Sequence, residues 1–399
     1  AGAAGMAAAK RLQDFGLDVL VLEASSRTGG RAHTDDVLGV RFDRGAHWLH
    51  SGDMNPLAAL ARERGITYHK GRRVSCLRFA NRWATGREVL AWVRYCERAM
   101  DEVAQVGEAG TDVSVASVLP GDPHWRPLLS AWMADMSGVE AEDASTIDFA
   151  RYRDTRKDWP VREGLGTLVG LLGQGIRIRR AAPVKRIEWS GPCVRVVSDA
   201  GTTCARAVLV TVSTAVLASG SIRFEPALPA WKRSAIEAIP LGLLNKVFIR
   251  IEHPGLGIKA GRHAVYVPSA PRTMAMSVKP FGLPLVVAHA GGRHADELEQ
   301  LGAEAMREEA LETLRSLLGG DALRAVVGVT CTSWRSDPLA RGAYSASLPG
   351  SGDQRAVLAQ PLEHRLFFAG EACSSKHFST VHGAYLSGCA VAERIARRL

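Results

Sequence analysis

The sequence predicts an α/β protein built on a Rossmann-type dinucleotide-binding unit, and three observations carry that prediction. First, the chain opens with Gly2-Ala3-Ala4-Gly5 and runs straight into an alanine-rich helical stretch from Ala7 to Phe15. Second, Gly16 closes that stretch as a helix C-cap, and a short aliphatic strand, Asp18–Glu23, follows and ends in an acid. Third, 399 residues are too many for one ordinary core, so a second domain is expected.

These elements form the second half of a βαβ dinucleotide unit. In G-x-G-x-x-G the second glycine lets the backbone approach a pyrophosphate, and the third lets helix and strand pack closely. Gly2 and Gly5 take those two places, so the first glycine and the strand before it fall upstream of residue 1 and the first strand reads as truncated. Phosphates would rest on the helix N-terminus around Ala3, where free N–H groups and the helix dipole favour anions. Glu23 lies 18 positions after Gly5, where an acid takes ribose hydroxyls. A second turn follows, Arg27-Thr28-Gly29-Gly30-Arg31, which adds a phosphate-contacting loop and guanidinium groups for a pyrophosphate. That addition points to FAD rather than to a nicotinamide cofactor.

Composition narrows the class. A net charge of +9 is spread over the chain without a run of five like charges, which argues for a basic enzyme and against nucleic-acid binding. The longest apolar stretch, Ala207–Leu217, is broken by Thr211, Ser213 and Thr214, too short and too polar for a bilayer span, so no membrane role is expected. Seven cysteines, an odd count without CxxC spacing, argue against a disulfide framework and a zinc site; a reducing, cytoplasmic setting and no metal are expected.

The segment Glu23–Arg31 resembles the signature of the flavin amine oxidases, and the likeness continues along the chain. Gly45-Ala46-His47-Trp48-Leu49-His50 and Asn55-Pro56-Leu57 are similar to a segment of animal and fungal polyamine oxidases. Leu244-Asn245-Lys246-Val247 resembles the stretch carrying that family's active-site lysine. Phe367-Phe368-Ala369-Gly370-Glu371 resembles its late FAD strand and ribityl-binding acid, and Phe378–Gly388 its C-terminal motif. The resemblance implies an FAD domain (1–52, 165–225 and 355–399) interleaved with an α+β substrate-binding domain (53–164 and 226–354). Helices are expected at Pro56–Arg64, Glu88–Val106, Trp125–Met136 and Ala295–Leu318, and strands at Ile176–Arg179, Val184–Trp189, Cys193–Val197, Ala207–Val212, Lys246–Ile251 and Leu366–Ala369.

The same resemblance assigns roles. Gly2, Ala3, Gly5, Glu23, Arg27, Gly29, Gly30, Arg31, His47, Trp48, Val184, Gly370, Glu371, Thr380 and Val381 would hold FAD. Lys246, Tyr344, His50 and Thr380 would shape the reaction. Lysine at the head of an apolar strand is costly to bury without a purpose, though a strand-end lysine can also reach solvent. Tyr344 would be one wall of an aromatic cage whose facing position is Thr380. Ala343 stands where monoamine oxidases attach FAD through cysteine, so the cofactor would be non-covalent. The implied reaction is hydride transfer from an amine carbon to the flavin, reoxidation by oxygen to hydrogen peroxide, and hydrolysis of the imine to aldehyde and amine. The implied substrate is a small amine, a polyamine above all, with monoamine or L-amino-acid oxidation, or an inert FAD-bound interaction module, as alternatives. An L-amino-acid oxidase would need an arginine clamp, for which Arg41 and Arg44 are the local candidates. In a basic chain, carboxylates should line the substrate entrance; Glu140, Glu142 and Asp143 are the densest acidic group, though a solvated loop explains them as well.

Replacing Glu23 with alanine should remove up to two ribose hydrogen bonds. Charge-assisted bonds are worth ~1.5–3 kcal/mol each, so FAD affinity should fall by more than about tenfold. An unchanged dissociation constant, measured by flavin fluorescence, would show that Glu23 is not the ribose acid.

Overall fold

The computed structural model describes residues 1–71, 75–79, 82–252, 260–267 and 274–399. The first helix, Ala3–Asp14, buries Ala4, Ala8 and Leu12 against the C-terminal helix Val381–Ala396. Small residues let the two backbones nearly touch: a Cβ on Gly388 would stand 2.2 Å from the Ala4 carbonyl oxygen. Gly16, at φ +76°, turns the chain out of the first helix while Leu17 donates back to the Leu12 carbonyl. Phe15, expected on the apolar face, is instead half-exposed, because it caps the helix end where the core has already closed.

Asp18–Glu23 is extended, but only Val21–Leu22 pairs, in parallel with Ile178–Arg179. A second parallel pair joins Val208–Val210 to Leu366–Phe368, and Ala369 continues it by donating to the Val210 carbonyl. Beside these pairs a four-stranded sheet runs in the order Gly201–Ala205, Val194–Ser198, Val184–Glu188, Arg223–Glu225.

The larger sheet has seven strands in the order Val326–Cys331, Leu244–Ile251, Leu285–Gly291, Ala275–Val278, Arg262–Val267, Ser75–Phe79, Arg82–Trp83. Its second strand, Leu244–Ile251, is buried on both faces, which explains the apolar run Val247-Phe248-Ile249 after Lys246. One face packs Val247, Ile249 and Ile251 against Met306, Ala310 and Leu314 of a covering helix; the other packs Phe248 against Val37, Val40 and Phe42. The helices expected at 56–64, 88–106 and 125–136 form as Pro56–Glu63, Gly86–Glu108 and Arg126–Ser137. The long second one starts on a capping box between Thr85 and Glu88.

Three expectations are corrected. The helix expected over 295–318 is two, Gly292–Leu301 and Ala303–Leu318, broken at Gly302, whose φ of +100° no helix accommodates. The stretch after 165 opens with a helix, Leu165–Leu171, and the mostly helical stretch 53–164 contributes two strands to the large sheet. Cys193 and Cys204 form a disulfide across adjacent antiparallel strands with Cα atoms 5.9 Å apart, a span a disulfide readily bridges; only strand register, invisible in cysteine spacing, brings them together.

A buried ion pair ties the layers. Arg355 and Asp148 meet at 2.7 and 2.8 Å with side chains 0% and 5% exposed, and Arg355 also donates to Ser345 Oγ at 2.7 Å. Removing one partner leaves a buried charge. Asp148→Ala should therefore cost ~3–5 kcal/mol, while an apolar pair, Asp148→Leu with Arg355→Met, should recover most of it. Denaturant midpoints of the wild type and the two variants check this; a mild effect in Asp148→Ala would show that the pair is not a keystone.

Candidate active site

One cavity of about 1660 Å³ runs between the layers, beyond the ~300–1,000 Å³ typical of a small-ligand pocket. Every residue expected to hold FAD or shape the reaction lines it: Gly2, Ala3, Gly5, Glu23, Arg27, Gly29, Gly30, Arg31, His47, Trp48, His50, Val184, Lys246, Tyr344, Gly370, Glu371, Thr380 and Val381.

At one end two glycine turns meet. Gly2 bridges to Gly29, and a Cβ on Gly30 would lie 3.5 Å from the Gly2 Cα. Gly29 and Gly30 have φ of +102° and +58°, and a Cβ on Gly29 would strike the Ala32 carbonyl at 2.4 Å. Here lies the N-terminus of a 12-residue helix that no side chain caps. Free N–H groups, a glycine cradle and Glu23 beside it suit a dinucleotide diphosphate and its ribose. Arg27 bends back to the Gly30 carbonyl at 2.8 Å, and burial lowers its proton affinity. Arg31 donates to the Ala343 carbonyl at 2.8 Å and to Glu371 at 2.9 Å.

Glu371 is buried at the middle of the cavity. Its oxygens accept from Arg31, from the Ser345 hydroxyl (2.6 Å) and N–H (3.2 Å), and from the Ser379 N–H (2.8 Å). Burial pushes its carboxyl up, but Arg31, Arg355 and these bonds outweigh that and hold it below the usual range. Thr380 commits its hydroxyl locally, accepting from Gly383 N–H at 3.0 Å as the N-cap of the last helix and donating to the His377 carbonyl at 2.7 Å.

At the far end Lys246 is 6% exposed, which rules out an ammonium that reaches solvent. Its Nζ donates to the carbonyls of Asp43 (3.1 Å) and Gly45 (2.6 Å), and burial brings it down to about 8 against the pull of Asp43. His47 donates from Nδ1 to Asp43 at 2.8 Å, and His50 from Nδ1 to Asp158 at 2.8 Å. Trp48 sits on a short strand paired with Trp159–Pro160. Tyr344 donates to the Asp135 carbonyl at 3.3 Å, and burial pushes its phenol up.

Several residues of the site escaped the sequence reading. Tyr152 also lines the cavity, close enough to Tyr344 to raise its phenol further, so a second aromatic comes from a segment no motif marks. Asp43 and Asp158, the partners of the two histidines, were missed; only the i, i+4 spacing of Asp43 and His47 hinted at one. The acids expected at the entrance are elsewhere: Glu140 and Asp143 pair with Arg293 outside the cavity lining. In their place Glu97, Asp101, Asp135, Asp154 and Asp158 line it, beside Trp92, Val93, Met100, Trp132 and Met133. Arg41 turns away to Thr167, and Arg44 is bonded to the Cys331 carbonyl at 3.0 Å.

The family model for flavin-containing amine oxidoreductases matches residues 3–130 and 120–396. The chain is 31% identical to lysine-specific histone demethylase 1 homolog 2 of Arabidopsis thaliana, across 99% of its own length and 57% of that protein's, so it spans little more than half of that relative. It is 30% identical to polyamine oxidase 4 of Oryza sativa subsp. japonica, across 100% of its own length and 88% of that protein's. Among solved structures, wild-type putrescine oxidase bound to putrescine superposes with a TM-score of 0.83 at 22% identity, covering 100% of this chain and 97% of that one, a likeness of fold.

Lys246→Met keeps length and apolar stem while removing charge and donors. It should leave FAD bound and slow one half-reaction by ~10²–10⁴, the usual worth of a placed proton-handling group. Stopped-flow reduction by substrate and reoxidation in oxygenated buffer separate the phases; wild-type rates in both would remove Lys246 from the reaction.

Proposed function

We propose that this chain, which belongs to the flavin-containing amine oxidoreductases and takes FAD non-covalently, is a polyamine oxidase that uses oxygen and releases hydrogen peroxide. The observation that carries this reading is the lining of the cavity. A chain of net charge +9 gathers Glu97, Asp101, Asp135, Asp154 and Asp158 along one apolar, aromatic-walled passage. Spaced carboxylates along an apolar tube suit a flexible chain with several ammonium groups. Arg156 also lines the passage and, 3.8 Å from Glu97, offsets that one carboxylate, leaving Asp101, Asp135, Asp154 and Asp158 to set the field.

The Gly2–Gly5 and Gly29–Gly30 turns would hold the FAD diphosphate, Glu23 a ribose, Val184 the adenine side, and Glu371, Thr380 and Val381 the middle of the cofactor. Bound FAD supplies the two-electron acceptor for the carbon next to the substrate nitrogen. The residues at that end prepare the amine. His50, oriented by Asp158, accepts a hydrogen bond from the substrate and takes a proton as an ammonium becomes an amine. Tyr344, Tyr152 and Trp48 wall the reacting end and exclude competing bases. Lys246 holds a mobile proton at Nζ, since burial has brought its affinity near neutral pH. The neutral amine would lose a hydride from carbon and a proton from nitrogen to become an imine, which water hydrolyses to an aldehyde and an amine; those two electrons and two protons would leave on oxygen as peroxide.

Of the two local arginines that could clamp a carboxylate-bearing substrate, Arg41 turns away to Thr167, and Arg44, which lines the cavity, spends a donor on the Cys331 carbonyl. The likeness to a protein named as a histone demethylase makes a methyl-lysine peptide the competing substrate.

Peroxide release should be fastest with spermine, spermidine or their acylated forms, and at least about tenfold slower with benzylamine, amino acids or methyl-lysine peptide, one lost charge-assisted contact being worth that much. A preference for any of the last three would overturn the polyamine reading. A yellow protein inert to all would favour the interaction module.

A further inference from the structure

Asp43 has no part in the motifs, yet it is the most heavily bonded carboxylate beside the reacting end. It ends the strand Val40–Asp43 and is fully buried. Its oxygens accept from Thr34 Oγ1 (2.6 Å), His47 Nδ1 (2.8 Å), Leu165 N–H (3.0 Å) and Gly166 N–H (3.2 Å). Four donors saturate a carboxylate, so its position is over-determined. Its backbone carbonyl, with that of Gly45, takes two of the three N–H bonds of Lys246.

We propose that Asp43 is the positioning residue of this site: its carboxylate holds the His47 ring with the hydrogen on Nδ1, while its carbonyl and its charge hold Lys246 as an ammonium with the third N–H directed by the other two. The proposal rests on the assignment of Lys246 to the reaction.

The geometry requires both halves. A carboxylate accepts and cannot donate, so the ring nitrogen facing it carries the hydrogen. Burial pushes the Asp43 carboxyl up, but the His47 hydrogen bond, the charge of Lys246 and the Thr34 bond outweigh it, so it stays ionised. For Lys246 burial favours the neutral amine, and Asp43 supplies the opposing attraction. The other titratable groups on elements packed around the lysine offer no negative charge. His289 is paired opposite Lys246 on the strand Leu285–Gly291. Arg44 lies over Phe248. Cys331, on the other neighbouring strand, has its thiol pushed up by burial and stays protonated. Among the described residues Asp43 is therefore the charge that opposes burial at Lys246. Its carboxylate thereby couples a histidine and a lysine that line the same cavity.

Ring-¹⁵N-labelled histidine tests the first half in the wild-type protein, with and without FAD, His47 being assigned by the loss of its signals in His47→Gln. The expected result is a ring protonated on Nδ1; a ring protonated on Nε2 alone overturns the proposal. Asp43→Asn tests the second half. It should abolish the Nδ1–H preference and move the pH midpoint of the Lys246-dependent half-reaction to lower pH by about one unit, a tenfold loss of proton affinity of the size an adjacent opposite charge confers. Adding it to Lys246→Met should move no further midpoint. An unmoved tautomer and midpoint overturn the proposal. If Asp43→Asn does not fold, the wild-type ring spectrum still decides. A Lys246→Met protein with wild-type kinetics and an Nδ1–H ring sinks the lysine's role in the reaction and with it the lysine half, but leaves Asp43 as the anchor of His47.

Discussion

The structure hangs on keeping Glu371 charged out of water. A carboxylate buried this deeply is tolerated only when its lone pairs are filled and a cation stands beside it. The donors come from three separate stretches: Arg31 after the second glycine turn, Ser345 beside Tyr344, and Ser379 before the last helix. Ser345 also accepts from Arg355, which is paired with Asp148. The result is one continuous chain of buried hydrogen bonds and charges along the cavity wall. Each member is satisfied only in the presence of the next, so the wall is held in a single arrangement. Tyr344 and Thr380 inherit their placement from this chain, being neighbours of Ser345 and Ser379.

A similar economy governs the reacting end. Lys246 is buried beneath an apolar sheet, where an ammonium with no partner would be costly. Two carbonyls of the turn 43–45 and the charge of Asp43 make it tolerable without neutralising it outright. The two histidines of the same stretch each have a dedicated acid, His47 with Asp43 and His50 with Asp158. Around them the surface of the chain is basic, while the passage into the site is studded with carboxylates. The basic exterior therefore poses no obstacle to a polycationic substrate, because the field that matters is local and largely shielded from the exterior.

The local rules of the chain were legible. Gly2, Gly5, Gly29 and Gly30 advertise close backbone approach, and the structure brings the two turns together, with a Cβ at Gly29 striking the Ala32 carbonyl. Lys246 stood out because a charged residue heading an apolar strand demands a reason, and its burial supplies one. What misled was distance along the chain. Glu140, Glu142 and Asp143 were conspicuous because they are adjacent in sequence, yet they serve Arg293 and the protein exterior. The acids that do line the passage are scattered over helices and loops between Glu97 and Asp158, and no linear pattern joins them. The disulfide between Cys193 and Cys204 escaped for the same reason, since strand register alone sets those two side by side.

By itself the sequence determined the dinucleotide-binding fold, the family and the cofactor, because these are encoded in short-range requirements: glycines where a Cβ would clash, an acid at a strand end, apolar runs of strand length. Only the tertiary structure decided which acids accompany which bases. Asp43 with His47 and Lys246, Asp158 with His50, Asp148 with Arg355, and Tyr152 beside Tyr344 are pairings between residues from separate elements. A buried charge has to find its partner in space, and the fold is free to supply that partner from any point along the chain.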